Sequence, residues 1–391
     1  MATRIRRRDP KGPAVWRARA LSLFARKALL LSLIVPSPPR TKRPALFTEL
    51  MRQDTSAGTS VADAAAVAMQ LLDYRSGNLK QVPTRNGFGE GLIEAGARNG
   101  NVIGICADLS ESTRFEGFKK AHPQQYIELG VSEQLLVAMA GGLASVGKIP
   151  WIASYAMFNP GRSWEQVRTI MALNETNVKI AGAHAGVSVG PDGATHQAVE
   201  DIAIMRVIPH MTVVVPCDAE QTKKATLALS ERWGPTYLRF GREKSPVITT
   251  GQTPFEVGVA QTFREGGDVA IVACGILVYN ALIAADELAS EDGIACRVVN
   301  NHTVKPMDEA AVVDAARACG TIVTVEEHQK HAGMGSRVAE ILAQKHPVPI
   351  EFVGVDDRFG QSGDPAELIE YYGMGVGAIK EAVRRAYVRK G

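Results

Sequence analysis

Val178-Lys-Ile-Ala-Gly-Ala-His184-Ala-Gly-Val-Ser-Val-Gly190-Pro-Asp192-Gly-Ala-Thr195-His196-Gln197 is the stretch on which the reading of this chain turns. It opens as a short apolar run, the pattern of a buried strand. From His184 the apolar pattern lapses, and two histidines, an aspartate and three glycines follow. Glycine permits sharp turns and close approach of backbone to a ligand. Helical spacing then resumes over His196 to Val207. Strand, polar loop and helix make one αβ unit, and in open α/β sheets ligands sit beyond the carboxyl ends of the strands. The loop is therefore the first place to seek a polar small-molecule site, with a solvated loop as the alternative. Its histidines lack a paired-ligand spacing and have no cysteine or acidic pair beside them, so no metal site is read here.

The same alternation extends in both directions. Val102 to Cys106, Thr212 to Val215 and Thr236 to Arg239 read as strands, and Ser132 to Ser145, Arg162 to Leu173 and Glu220 to Arg232 as helices. A second αβ series follows, with strands at Val269 to Ala273, Cys296 to Val299, Thr321 to Val325 and Val348 to Val353. Helices are expected between them, and at Pro365 to Tyr371 and Val376 to Val388. This predicts an α/β protein of two doubly wound domains, each a parallel sheet covered on both faces. The expected boundaries are a basic extension over 1–80, a first domain over 81–245, a linker over 246–264 and a second domain over 265–391.

The 391 residues carry a net charge of only +3, unevenly placed. Twelve arginines and lysines precede Ala45, opposed by Asp9 alone, and the remainder is acidic. Nucleic-acid binding by the folded part is not expected. The apolar run Ala28 to Val35 is too short to span a bilayer, so no membrane association is expected. The arginine-rich start imitates a signal or transit peptide; the favoured reading is an over-long gene start with Met51 as initiator, and poor order is expected from Met1 to about Ser60. Cys106, Cys217, Cys274, Cys296 and Cys319 are far apart and lie in or beside apolar runs. They read as buried, reduced thiols of a cytoplasmic protein.

Three further segments carry candidate chemistry. Glu133, in Gly130-Val-Ser-Glu133-Gln134, opens a helix that is otherwise almost wholly apolar. It reads either as helix-end charge or as a carboxylate at a buried surface. Tyr155 and Phe158 follow an apolar run and offer either core packing or a stacking surface for a flat ring. Arg85, Arg239 and Arg242 are candidates for an anionic group, because guanidinium suits bidentate phosphate binding.

Taken together these segments resemble the transketolase family from about Pro83 to the C-terminus. Gly190-Pro-Asp192-Gly-Ala-Thr195-His196-Gln197, with His184 twelve residues before His196, resembles the family's substrate loop, and Gly130 to Gln134 resembles the segment of its cofactor glutamate. Ala107-Asp108-Leu109 with Ser112 resembles a strand-end turn of the family, while Val325-Glu-Glu-His328, Gly333-Met-Gly-Ser336 and Asp356-Asp-Arg-Phe-Gly-Gln-Ser-Gly363 resemble its C-terminal domain.

The resemblance implies a pyrimidine-binding domain followed by a transketolase C-terminal domain. It implies thiamine diphosphate as cofactor, with Glu133 hydrogen-bonding the aminopyrimidine, Phe158 and Tyr155 stacking on it, and Asp108 nearby. Glu133, His184 and His196 would be catalytic. Asp192, His184, His196, Arg85, Arg242 and Ser112 would hold the sugar phosphate. The Gly-Asp-Gly diphosphate and metal motif of full-length family members is not found in this sequence. The reading is thus the C-terminal subunit of a split transketolase, active in ketol transfer only with an N-terminal subunit that binds the diphosphate and Mg (or Ca or Mn), in a two-plus-two assembly. A 1-deoxyxylulose-5-phosphate synthase-like enzyme, a 2-oxo acid dehydrogenase beta-like subunit and a non-catalytic scaffold are the competing readings.

Overall fold

The computed structural model describes residues 69–390, so the expectations for Met1 to Ser60, Ala28 to Val35 and Met51 lie outside the described residues. In chain order the strands are β1 (Gln81–Pro83), β2 (Val102–Cys106), β3 (Tyr126–Glu128), β4 (Ile149–Tyr155), β5 (Lys179–Ala183), β6 (Thr212–Val214), β7 (Thr236–Arg239) and β8 (Lys244–Pro246), then β9 (Gln261–Arg264), β10 (Val269–Ala273), β11 (Cys296–Asn300), β12 (Thr303–Lys305), β13 (Ile322–Gln329) and β14 (Ile350–Val355).

Seven strands form one sheet in the order β12-β6-β7-β5-β4-β2-β3, and five form another in the order β14-β13-β10-β11-β9. Pairing is parallel from β6 through β3 and from β14 through β11. Strands β2 and β10 are buried along their whole length. That is why both read as unbroken apolar runs rather than alternating ones. The α/β, two-domain, doubly wound architecture expected from the alternation is the architecture observed.

The boundaries differ from the expected ones in three places. Residues 69–80, assigned above to the extension, pack on the fold: Tyr74 is buried, the Leu72 N–H donates to the Ile248 carbonyl at 2.9 Å, and Arg75 pairs with Asp286 at 2.7 Å. Strand β9 lies inside the expected linker and joins the second sheet antiparallel to β11. Strand β12, from the second half, pairs antiparallel with β6 and covers that edge of the first sheet. An uncovered strand edge is a row of unpaired backbone groups. Here the partner domain supplies the cover.

The local pattern failed at one helix. His196 to Val207 was expected helical, but the helix is only Asp201–Arg206. Before it, Gln197 is buried with its amide donating to the carbonyls of Val187 and Gly190 at 3.0 and 3.2 Å, so this segment serves the loop instead. Thr84–Arg98 is a helix although it contains Gly87, Gly89, Gly91 and Gly96, which lower helix propensity. The helix packs against Ala219–Glu231. A Cβ on Gly87 would overlap the carbonyl oxygen of Ala219, and one on Gly91 would lie 2.8 Å from the Thr226 Cβ. Close approach, not propensity, selects these glycines. Because a backbone carbonyl cannot swing aside, Gly87→Val is expected to lower stability by about 2–3 kcal/mol, read as a shift in the urea unfolding midpoint.

The five cysteines are buried and free. Burial pushes the Cys106 thiol up to about 11 and the Cys296 thiol up to about 12, so both stay protonated and unreactive near neutral pH. Among the described residues no helix is long and apolar enough to cross a membrane.

Candidate active site

Five parallel strands of the first sheet deliver side chains to one edge. Asp108 follows β2, Glu133 follows β3, Phe158 follows β4, His184 follows β5 and Arg242 follows β7. All leave the carboxyl ends of their strands, where the topology rule puts ligands.

Glu133 is the first residue of the helix Glu133–Ser145, and only 6% of it is exposed. It lines a cavity of about 520 Å³ with Val131, Ser132, Gln134, Leu135, Phe158 and Arg162. Among the described residues its carboxylate makes no ion pair. Burying a carboxylate beside Leu135 and Phe158 is costly unless something hydrogen-bonds it. A flat heterocycle carrying an amino group meets both demands: a ring for the apolar wall, and a nitrogen for the carboxylate. The residues present therefore fit the pyrimidine end of thiamine diphosphate. Arg162, which the sequence offers only as the start of a helix, is part of this cavity.

Beside the cavity is an aromatic and imidazole cluster. Tyr155 stacks on His184 with ring centroids 4.0 Å apart, and Phe158 meets His196 edge-on at 5.2 Å. The Tyr155 and Phe158 rings are 5.9 Å apart. Phe158 thus lines the cavity, whereas Tyr155 lies one step away with a face against His184. Thr195 Oγ1 is 2.9 Å from His196 Nδ1, which leaves Nε2 as the nitrogen available for proton exchange.

His184 is buried with Arg85 Nη1 at 3.4 Å from its Nε2. Guanidinium only donates, so Nε2 is the acceptor and Nδ1 carries the proton. Burial, then the charges of Arg85, Arg242 and Arg114, hold the imidazole down at about 3. In the free chain His184 is therefore expected to remain neutral at every pH above about 4, checked by following its imidazole NMR signals. The sign follows: this histidine charges near pH 6.5 when unfolded but not when folded. Its contribution to stability is complete above about pH 6.5 and is lost as pH falls toward 3. An imidazole signal shifting between pH 6 and 7 would contradict this assignment.

The arginines separate into two kinds. Arg85 Nη1 donates to the Ser112 carbonyl at 3.0 Å, which draws Ser112 to the same edge. Arg242 Nη1 donates to the Val189 carbonyl at 2.9 Å and to Asp192 Oδ1 at 3.2 Å. Arg114, not singled out in the sequence, joins them: its Nε donates to Asn86 Oδ1 at 2.9 Å. Burial, then Arg114 and Arg242, push the Arg85 pKa below its ordinary value. Together they form an electropositive cluster suited to an anionic group. Arg239 is the exception. It is buried, its Nε donates to Asp201 Oδ2 at 2.8 Å, and it is not free to meet a ligand.

Asp108 has a φ of 60° and its N–H donates to Glu128 Oε1 at 2.8 Å. Glu128 was missed because a single acid at a strand end has no distinguishing local pattern. Among the described residues no cluster of three His, Cys, Asp or Glu side chains is arranged to hold a metal ion.

Residues 80–247 match the family model of the transketolase pyrimidine binding domain, and residues 258–379 that of the transketolase C-terminal domain. The fold and these matches define a class: the pyrimidine-binding and C-terminal domains of a thiamine-diphosphate-dependent transferase. A putative transketolase C-terminal section of Methanocaldococcus jannaschii is 41% identical over 293 residues, covering 74% of this chain and 92% of that protein. A 6-deoxy-6-sulfo-D-fructose transketolase subunit of Clostridium sp. (strain MSTE9) is 39% identical, covering 76% and 91%. A solved split-gene transketolase, described as an inactive beta4 tetramer, is 42% identical with a TM-score of 0.74, covering 79% of this chain and all of that one. The chain belongs to the transketolase family.

Proposed function

We propose that this chain is the pyrimidine-binding subunit of a cytoplasmic, heteromeric transketolase. The reaction is reversible two-carbon ketol transfer between a ketose phosphate and an aldose phosphate. Phe158 carries the reading, because it belongs to both halves of the site: its ring lines the Glu133 cavity and also lies 5.2 Å from His196. A ring bound against Glu133 is thereby next to the polar loop.

When bound, thiamine diphosphate supplies the carbon nucleophile and stabilises the negative charge left by carbon–carbon cleavage. The chain's own residues bind, orient and exchange protons. Glu133 accepts a hydrogen bond from the pyrimidine and fixes its protonation pattern. Phe158 packs on the ring, and Asp108 borders it. Tyr155 holds the His184 ring by stacking. Neutral His184 orients a substrate oxygen. His196 exchanges protons at Nε2. Asp192 recognises a hydroxyl, and Arg85, Arg242 and Ser112 hold the terminal phosphate.

The diphosphate and its metal ion are assigned to an N-terminal partner in a two-plus-two complex. Two observations support this: two relatives are described as subunits or sections, and the similar solved tetramer of one subunit is described as inactive. The test is ketol transfer from xylulose 5-phosphate to ribose 5-phosphate with thiamine diphosphate and magnesium. The chain alone is expected to be inactive, and the chain with a partner carrying a Gly-Asp-Gly motif active. Activity from the chain alone would remove the partner requirement. Transfer only to other acceptors, including sulfonated sugars, would redefine the substrate.

A further inference from the structure

The loop that carries His184, Asp192 and His196 is held in part by the other domain. Ser188 N–H, at its centre, donates to Glu327 Oε1 at 2.7 Å. Glu327 stands on β13, is 5% exposed, and its backbone carbonyl accepts from Arg239 Nη2 at 2.8 Å. Two residues before Ser188, Gly186 has a φ of +90°, and a Cβ there would overlap the Glu327 carboxylate. Loop and carboxylate are fitted to each other. From the opposite side Arg242 bonds Val189 and Asp192. Further along, Gln197 reaches the Gln361 carbonyl at 2.9 Å.

We propose that Glu327 is a positioning residue for the reaction: from the second domain it fixes the Ser188 amide, and with it the placement of His184, Asp192 and His196. The functional half of this statement rests on the ketol-transfer reading of the loop. Two physical points support it. A single buried N–H can be satisfied by a neutral acceptor, whereas burying a carboxylate is costly. The carboxylate gives a shorter, stiffer charge-assisted bond in return. Misplacement of a catalytic group by about 1 Å can lower rate about a hundredfold.

The adjacent Glu326 is the built-in control. It is equally buried, but it accepts from the Met334 and Gly335 N–H groups at 2.7 and 2.8 Å, both in its own domain. Four variants of the full chain, assembled with the partner, test the proposal: Glu327→Ala, Glu327→Gln, Glu327→Asp and Glu326→Ala. Glu327→Ala is expected to lower acceptor kcat/KM about 10- to 100-fold, with thiamine diphosphate affinity unchanged. It should also speed hydrogen exchange at Ser188, but not around Glu133. Glu327→Gln keeps an oxygen for the same N–H but not the charge, and should restore part of the loss. Glu326→Ala should lower Tm while leaving the kinetics unchanged. Should the alanine variant not fold, Glu327→Asp keeps the charge but shortens the reach, and both readouts should move the same way to a smaller extent.

The proposal is overturned if the folded Glu327 variants keep acceptor kcat/KM within about twofold of the parent and exchange at Ser188 is unchanged. It is also overturned if Glu326→Ala reproduces their kinetic loss. Absence of ketol transfer by the unsubstituted complex would sink the functional reading instead, and the exchange measurement on the chain would still decide the anchoring.

Discussion

Glu133→Gln is expected to reduce ketol transfer by the assembled complex roughly 1,000-fold, while leaving the fold and the assembly intact. The side chain opens a helix whose remaining buried positions are Leu136, Val137, Ala140, Gly141 and Ala144, and it faces a cavity rather than solvent. Within the described residues it makes no ion pair, although Arg162 lines the same cavity. The amide retains size and can still accept a hydrogen bond, but it lacks the charge and basicity that would fix the pyrimidine's protonation pattern. The measurement is steady-state turnover with thiamine diphosphate and magnesium, alongside sedimentation of the complex. A scaffold relative would behave differently: assembly would be retained and the partner's function unaffected. Turnover within tenfold of the parent would remove Glu133 from the catalytic role.

Asp201→Ala is expected to cost about 3–5 kcal/mol of stability, the largest loss from any single ion pair described here. Asp201 and Arg239 are 1% and 5% exposed, and their atoms meet at 2.8 Å. Tyr237 OH donates to the same Asp201 oxygen at 2.6 Å. Removing the carboxylate leaves a buried guanidinium whose other contacts are the carbonyls of Ala198 and Glu327. A surface pair such as Arg317–Asp314 should contribute about 0–1 kcal/mol by comparison. Urea unfolding of Asp201→Ala and Asp201→Asn checks the value, and the asparagine should recover part of the loss through the Tyr237 bond. A change below about 1 kcal/mol for the alanine would mean that Glu327 compensates Arg239 on its own.

The network around Arg239 shows where reading the sequence stops. Arg239 and Arg242 are three residues apart at the end of one strand, and each satisfies the same argument for phosphate binding. Only the fold separates them. Asp201, far along the chain, reaches one and buries it, while the other turns toward Asp192 and the loop. Similarly, Tyr155 and Phe158 form an ordinary aromatic pair in sequence, and it is the position of His184 that takes Tyr155 out of the cavity.

What the sequence determined by itself is what depends on near neighbours. Unbroken apolar runs specified parallel strands buried on both faces, helical spacing specified most of the connecting helices, and the polar Gly-rich stretch after β5 specified the candidate site. Strand-end topology then gathered Glu133, Phe158, His184, His196 and Arg242 at one edge. The tertiary structure alone decided the crossing of β12 into the first sheet, the glycine-lined contact at Gly87, the burial of Arg239 and the anchoring of Ser188 by Glu327. Each depends on residues 38 to 139 positions apart, or on a backbone approach that no local pattern encodes. Periodicity reports which face of an element is apolar; it carries no record of which distant group will meet it.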